Sequence, residues 1–581
     1  IFSLPIAVLS LYHWYISLRI KLLSKSSLLE IKELNVKFSS PLGTVHALKN
    51  VSFSVEKSSI LGVVGESGCG KSTISNSILG LLAKNAKITS GEIKFEGRDL
   101  LTDPSIEMRK LRGPEIATIF QDPMTSLSPV LSIGRQMNDI LYRSSKSANE
   151  KKRYAVETLR KVGLPDPETR INMYPHELSG GQRQRVCIAM AVMMKPKLLI
   201  ADEATTALDA TLEQEIIKLL KDLQRDLGCT MLFVTHHLGV VASLCDKVVV
   251  MYNGEIKEFG NVKDVFGNPK HIYTRKLLRC DPAWIRQKTR QLPTMADDPN
   301  EPIKIFNGKP DRINKDIAPI LEINGLNVTF EKRPLLGGIL GGLKYRIKAV
   351  QDVQLSIHSG ETLALVGESG SGKTTIARSI IGLQKVTSGS IKFEGNELTN
   401  LNHSNFKKYR QEIAYMFQDP IGSLSPRMKV LSLLIEPFQI HNVPRSDYKA
   451  EAIRLLDLVG LTPKFLDRYP HELSGGQARR IGVARAMALS PKLIVADEPT
   501  AGLDVSIQGE VLNLLAEVQD KTGVAILLIT HNLNVVRHIS DRVSIMYMGS
   551  FLEVDDTEKI FKSQQNEYTR KLIAANSHAE L

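Results

Sequence analysis

Gly65-Glu66-Ser67-Gly68-Cys69-Gly70-Lys71-Ser72 and Gly367-Glu368-Ser369-Gly370-Ser371-Gly372-Lys373-Thr374 decide the fold of this chain. Each fits G-x-x-x-x-G-K-[ST], and each is followed by a threonine, Thr73 or Thr375. An apolar, strand-like run precedes each loop, and helix-like segments follow at 73–82 and 375–383. That is the strand–loop–helix context a phosphate-binding loop requires. Glycines let backbone N–H groups curl around phosphate oxygens, and the helix N-terminus adds partial positive charge. Lys71 and Lys373 are placed to reach the β- and γ-phosphates, and Ser72 and Thr374 to hold Mg²⁺. One such match can arise by chance. Two, at corresponding places in a duplicated chain, do not.

The duplication extends beyond the loop. Phe120-Gln121-Asp122-Pro123 recurs as Phe417-Gln418-Asp419-Pro420, and Tyr174-Pro175-His176-Glu177-Leu178-Ser179-Gly180-Gly181-Gln182 as Tyr469-Pro470-His471-Glu472-Leu473-Ser474-Gly475-Gly476-Gln477. Ser179 and Ser474, Asp202 and Asp497, and His236 and His531 are each 295 residues apart. So long a period means two whole domains rather than a solenoid. In each half, strand-like runs (29–38 and 51–55; 321–330 and 353–357) come before the loop-bearing strand. Two more buried runs follow a helix-rich stretch (198–201 and 231–234; 493–496 and 525–529). Short apolar runs separated by helical patterns predict an α/β fold with a parallel core sheet. The boundaries read as an apolar extension 1–27, a first domain 28–280, a linker 281–318 and a second domain 319–581. The linker call rests on a stretch, 281–316, rich in Pro, Asp, Asn and Lys with little periodicity.

Bulk properties bound the rest. At 581 residues there is more than one core. A 43% hydrophobic, 24% charged composition is that of an ordinary globular protein. The net charge of +13, from 75 basic and 62 acidic residues, is too diffuse to choose between nucleic acid, an anionic membrane surface and a nucleotide. Five cysteines with no CxxC pair support neither a zinc module nor a disulfide framework, which fits a reducing compartment. Residues 1–18 lack Asp, Glu, Lys and Arg, and Arg19, Lys21 and Lys25 follow. That is barely a bilayer's length, with no basic region ahead of it as a signal peptide requires. It reads either as a membrane-associating or membrane-spanning stub or as an artefactual or surface-packed extension. The similarly uncharged 227–245 is broken by Thr235-His236-His237 and Gly239, and reads as strand, turn and helix start.

The chemistry lies at the strand ends. Asp202-Glu203 and Asp497-Glu498 bring paired carboxylates beside each phosphate loop. The aspartate is suited to position Mg²⁺, and the glutamate to polarise an attacking water. Such a pair taken singly is as often a cap or surface charge. Its recurrence downstream of each loop favours catalysis. His236 and His531 each end an apolar strand. A lone histidine is usually structural, but these strands lie beside the carboxylate strands. Gln121 and Gln418 are neutral groups able to touch a metal-bound water. Together they complete a phosphoryl-transfer site. Leu-Ser-Gly-Gly-Gln reads either as a helix N-cap or as a second phosphate-facing loop, through Ser179, Gly180, Gly181 and Gln182 and through Ser474, Gly475, Gly476 and Gln477.

In this order the motifs resemble the ATP-binding cassette family, over about 28–572. The resemblance implies ATP and Mg²⁺ as cofactors. It also implies tandem P-loop NTPase domains, each with a RecA-like core sheet, an N-terminal antiparallel β subdomain and a helical subdomain. It implies ATP sandwiched between halves: Lys71, Gln121, Asp202, Glu203 and His236 facing Ser474 to Gln477, and Lys373, Gln418, Asp497, Glu498 and His531 facing Ser179 to Gln182. Ser72, Gln121, Asp202, Thr374, Gln418 and Asp497 would be the metal-side residues. Ala207-Leu208-Asp209 and Gly502-Leu503-Asp504 match the family's D-loop. Ala204 stands where Pro is usual, and His237 and Asn532 where Asp is common. Both sites keep glutamate and histidine, so two hydrolytic sites are expected. Phe38 and Phe330 fit the adenine-stacking position but read equally well as core residues, and Tyr345 competes with Phe330.

Two cassettes without a membrane domain resemble the fused ATP-binding subunits of oligopeptide/dipeptide importers. Supporting features are the Ser-Leu-Ser-Pro runs (126–129 and 423–426), the Tyr-Pro-His-Glu-Leu runs, and Tyr-Thr-Arg-Lys-Leu at 273–277 and 568–572. The implied partners are two membrane permeases and an extracytoplasmic binding protein, with the chain peripheral at the cytoplasmic face of the inner membrane and no nucleic acid. With Cys280 alone in the tail region, no iron–sulfur cluster is expected. The rival readings are an export motor and a soluble tandem-cassette ATPase acting on ribosomes or nucleic acid.

Overall fold

The computed structural model describes residues 27–40, 43–205, 208–285, 287–303, 305, 313, 317–332, 345–399, 401–417, 422–444 and 447–576. The apolar stretch 1–26, Ala207, the insertion 333–344, the Tyr345 side chain and Gln418 to Pro420 lie outside them. The chain divides into two compact units, the first holding most residues up to Leu278 and the second running from Arg279.

The strand before each phosphate loop, Ile60–Val64 or Thr362–Val366, is buried at every position. A strand covered on both faces reads as a continuous apolar run. In the first unit it is third in a six-stranded sheet, Glu255–Asn261, Lys247–Tyr252, Ile60–Val64, Thr230–Val234, Leu198–Asp202 and Ile116–Ile119. Five strands are parallel, and Glu255–Asn261 is an antiparallel edge. The second unit repeats the arrangement, from Ile413–Met416 to Ser550–Asp556. The expected parallel sheet is therefore present with one antiparallel strand added. A separate four-stranded antiparallel sheet precedes it in each unit, pairing Ser27–Ser40 with Gly43–Glu56 and Leu321–Lys332 with Tyr345–Ile357.

The loop helices begin at the motif lysines, as Lys71–Leu79 and Lys373–Ile380. They are shorter than their sequence patterns because glycine stops them. Gly80 takes φ +61, and its N–H returns to Ser77 O at 3.2 Å. Helical segments fill the middle of each unit. In the first, Ala148–Lys161 starts with a capping box between Ser147 and Glu150 and buries Ala155 and Leu159 against Ile133, Met137 and Val186. Each unit buries its own cores.

Residues 282–293 depart from the linker reading. Ile285, Thr289 and Leu292 are buried, Ile285 and Leu292 within a core cluster of the second unit. Asn513 clasps the backbone of Leu292 from both sides, its side-chain amide donating to Leu292 O and its Oδ1 accepting from Leu292 N–H, each at 2.7 Å. Arg290 reaches Gln519 Oε1 at 2.9 Å and Asp520 Oδ1 at 2.8 Å. Lys288 Nζ donates to Ser540 O at 2.8 Å. Composition mistook this segment because its contacts are backbone- and charge-mediated and follow no helix or strand period.

Candidate functional site

Each parallel sheet brings its chemistry to the carboxyl ends of its strands, the usual place for ligand binding in open α/β sheets. Gly70 and Gly372 lie at φ +108 and +111 at the N-termini of the loop helices. A Cβ there would stand 2.7 Å from Ala47 O in one unit and 2.3 Å from Ala349 O in the other, so only glycine fits. Lys71 is buried, its Nζ donating to Gly65 O at 2.7 Å and Glu66 O at 3.0 Å. Lys373 does the same with Gly367 O at 2.7 Å and Glu368 O at 2.8 Å, and burial holds its amine below the usual lysine range. Both ammonium groups are thus poised inside their loops. The turn after strand Lys247–Tyr252 also braces the first loop, Gly254 N–H donating to Cys69 O at 3.1 Å, and Gly549 does so for Ser371 O at 2.9 Å.

The strand two positions over in each sheet carries the carboxylates. Asp202 Oδ1 accepts from Ser72 Oγ at 3.4 Å, and Asp497 Oδ1 from Thr374 Oγ1 at 3.4 Å. Burial pushes Asp202 up to about 6 and raises Asp497 as well. A buried carboxylate whose ionisation is disfavoured is one that a cation would stabilise. Among the described residues no three His, Cys, Asp or Glu side chains converge on a metal position. One hydroxyl and one carboxylate is a donor set that suits Mg²⁺, which keeps waters and phosphate oxygens as its other ligands.

Glu203 and Glu498 follow immediately, and both take φ +49, a left-handed conformation rare for a non-glycine residue. Each is pinned there by its own N–H, which donates to Val234 O at 2.8 Å or Ile529 O at 2.9 Å on the neighbouring strand. Backbone held in this way at a strand end is characteristic of functional sites. His236 Nδ1 lies 3.2 Å from Glu203 Oε1, and His531 Nδ1 3.2 Å from Glu498 Oε1. Gln121 Nε2 donates to Glu203 Oε2 at 2.7 Å, so in this structure the glutamine meets the glutamate rather than Asp202. Its counterpart Gln418 lies outside the described residues.

The Leu-Ser-Gly-Gly-Gln segments start helices Gly180–Val192 and Gly475–Ala486. Ser179 Oγ accepts from Gln182 N–H at 3.4 Å while Gln182 Oε1 accepts from Ser179 N–H at 3.1 Å. Ser474 and Gln477 repeat this at 3.3 and 3.0 Å. The cap reading is thus realised in both halves, and it leaves the first-turn N–H groups directed outward from an exposed helix start. Phe38 packs against the first unit's core, whereas Phe330 is 38% exposed.

Two contacts escaped the sequence reading. His237 Nδ1 lies 3.2 Å from Glu213 Oε1, where the second unit has Asn532 capping the following helix. Tyr415 OH donates to Asp497 Oδ2 at 2.8 Å. The His237 and Asn532 positions are legible from the motif, but the contacts of His237 and Tyr415 are not, because only the fold brings the partners together.

The family description "ABC transporter" matches residues 48–206 and 350–501, more than half of the chain, taking in both phosphate loops and both Asp-Glu pairs. The chain belongs to the ABC transporter family. Its two cassettes bind ATP and hydrolyse it. A second family description, "Oligopeptide/dipeptide transporter, C-terminal region", matches 257–310, taking in Tyr273 to Leu277 and the segment docked on the second unit. Among ABC proteins, the chain is 40% identical over 570 residues to the glutathione import ATP-binding protein GsiA of Escherichia coli (strain K12), covering 96% of this chain and 91% of that one. The protein of the same name from Shigella sonnei (strain Ss046) gives the same identity and coverage. A solved structure, cbiO1 from Clostridium perfringens, part of the ABC transporter complex cbiONQ, is 32% identical, covering 42% of this chain and 92% of its own, with a TM-score of 0.37. Among the described residues no helix is long and apolar enough to cross a membrane.

Proposed function

We propose that the chain is the energy-coupling ATPase of an importer for peptides or peptide-like solutes, glutathione among the candidates. The observation that carries import is the full-length likeness to glutathione import ATP-binding proteins together with the oligopeptide/dipeptide-type region at 257–310. Both favour import over the export and ribosome or nucleic-acid readings. The partners are two membrane permeases and an extracytoplasmic binding protein, and the chain works peripherally at the cytoplasmic face of the membrane.

In each site the phosphate loop (Gly65 to Ser72 with Thr73; Gly367 to Thr374 with Thr375) cradles the nucleotide phosphates, with Lys71 or Lys373 at the β- and γ-positions. Ser72 with Asp202, and Thr374 with Asp497, would hold Mg²⁺, which neutralises developing phosphate charge. Glu203 and Glu498 are the bases that orient water, and the histidines hold them in place. That Ser179 to Gln182 and Ser474 to Gln477 contact nucleotide, each serving the other half's site, rests on the sequence resemblance. ATP binding and hydrolysis then shift the populations of states that the permeases sense.

Uptake of labelled glutathione and dipeptides tests the reading, in cells whose only copy carries Glu203→Gln with Glu498→Gln. Loss of uptake with retained ATP binding is expected. Undiminished uptake of every peptide tested would remove the import assignment.

A further inference from the structure

The two Mg²⁺-side aspartates are not held alike. Strand Ile413–Met416 runs parallel to Leu493–Asp497 with Tyr415 paired to Val495. Asp497 lies two residues further along the same face, and the tyrosine ring extends along the strand to reach it. Its hydroxyl donates to Asp497 Oδ2 at 2.8 Å, leaving Oδ1 to Thr374. The ring is itself braced edge-on by Phe417, with centroids 4.8 Å apart. In the first unit the equivalent strand Ile116–Ile119 pairs Thr118 with Ile200, again two residues short of Asp202. A threonine at that register is too short to span the gap. Among the described residues Asp202 accepts from Ser72, has the Ser75 hydroxyl beside it and has no bond to Thr118.

Resting on the proposed Mg²⁺ role of Asp497, we propose that Tyr415 is a positioning residue that fixes this carboxylate for metal, making the second ATP site bind the divalent cation more tightly than the first. A phenol is a hydrogen-bond donor at neutral pH. A donor on the outer oxygen stops the carboxylate rotating, so its inner oxygen stays aimed at the phosphate cradle. Removing such an outer partner typically weakens metal affinity 10- to 100-fold. The first site has no phenol in that place, only the shorter Ser72 and Ser75 hydroxyls on the helix side.

The test is Mn²⁺ binding by electron paramagnetic resonance, with adenylyl imidodiphosphate bound to the full chain. Lys71→Ala silences the first site and Lys373→Ala the second. Adding Tyr415→Phe to the Lys71→Ala chain is expected to weaken Mn²⁺ about tenfold and alter its spectrum, with the melting temperature of the nucleotide-free chain unchanged. Thr118→Val in the Lys373→Ala chain should change nothing. Independently of any change at Tyr415, the Lys71→Ala chain should bind Mn²⁺ more tightly than the Lys373→Ala chain. Equal affinities, or a Tyr415→Phe chain indistinguishable from its parent, would overturn the inference while leaving the proposed function standing. Failure of the unmutated chain to bind Mn²⁺ with nucleotide would overturn both.

Discussion

The two cassettes repeat one site with near-identical distances, yet differ around it. Lysine to loop carbonyl (2.7 Å in both), hydroxyl to aspartate (3.4 Å) and histidine to glutamate (3.2 Å) coincide. The surroundings do not: Tyr415 stands where Thr118 does, Asn532 where His237 does, and residues 282–293 dock on the second unit alone. The groups proposed to react would be constrained by a shared chemistry that tolerates little displacement. The supporting groups are constrained only by packing, so after duplication they were free to diverge. The prediction is symmetric chemistry on asymmetric scaffolds.

The largest effect should come from the glutamates. Glu203→Gln and Glu498→Gln together should lower ATP hydrolysis about a thousandfold, the scale of a lost general base. Phosphate release from the two single variants sharpens the comparison, since equal chemistry requires each to lose a comparable share. If Glu203→Gln were silent while Glu498→Gln abolished turnover, the symmetry would be broken.

Stability should reveal the scaffold difference. Leu292→Ala empties a buried position and should cost about 3 kcal/mol. Chemical denaturation followed with probes in each unit should find the loss in the second. An equal loss in both units would contradict docking on one alone.

Acid should act on the same contact. His538 is buried, its Nδ1 accepting from Thr289 N–H at 3.2 Å and its Nε2 facing Pro282 O at 3.3 Å. Burial lowers it to about 4. The unfolded chain then takes up a proton near pH 6.5 that the folded chain refuses until about 4. The stabilisation is complete above pH 6.5 and is lost as pH falls through that window, by roughly 3 kcal/mol. His538→Asn should flatten this dependence. In the first unit Ser243 occupies the equivalent place, so its denaturation should show no matching step.

The smallest effect should again be symmetric. Lys197 bridges Glu96 and Glu115 at 2.8 and 2.9 Å, and Lys492 bridges Glu394 and Glu412 at 2.7 and 3.3 Å. Both lysines are largely exposed, so Lys197→Met and Lys492→Met should each shift stability by less than about 1 kcal/mol. A large effect at one alone would reveal a further difference between the halves.

Sequence alone determined the tandem cassettes, the parallel sheets and the candidate groups at the strand ends, because these depend on local spacing. A glycine loop between strand and helix, and carboxylates at the end of an apolar run, are written in consecutive residues. Tertiary structure alone decided the rest. Glu203 and Glu498 are held at φ +49 by a neighbouring strand. Gln121 meets Glu203 across 82 positions of sequence, and Tyr415 meets Asp497 across another 82. The stretch 282–293 is fastened by Asn513, Asp520 and His538, more than 200 positions downstream. Such contacts have no period and no motif. They exist only once parallel strands set two distant segments side by side in register.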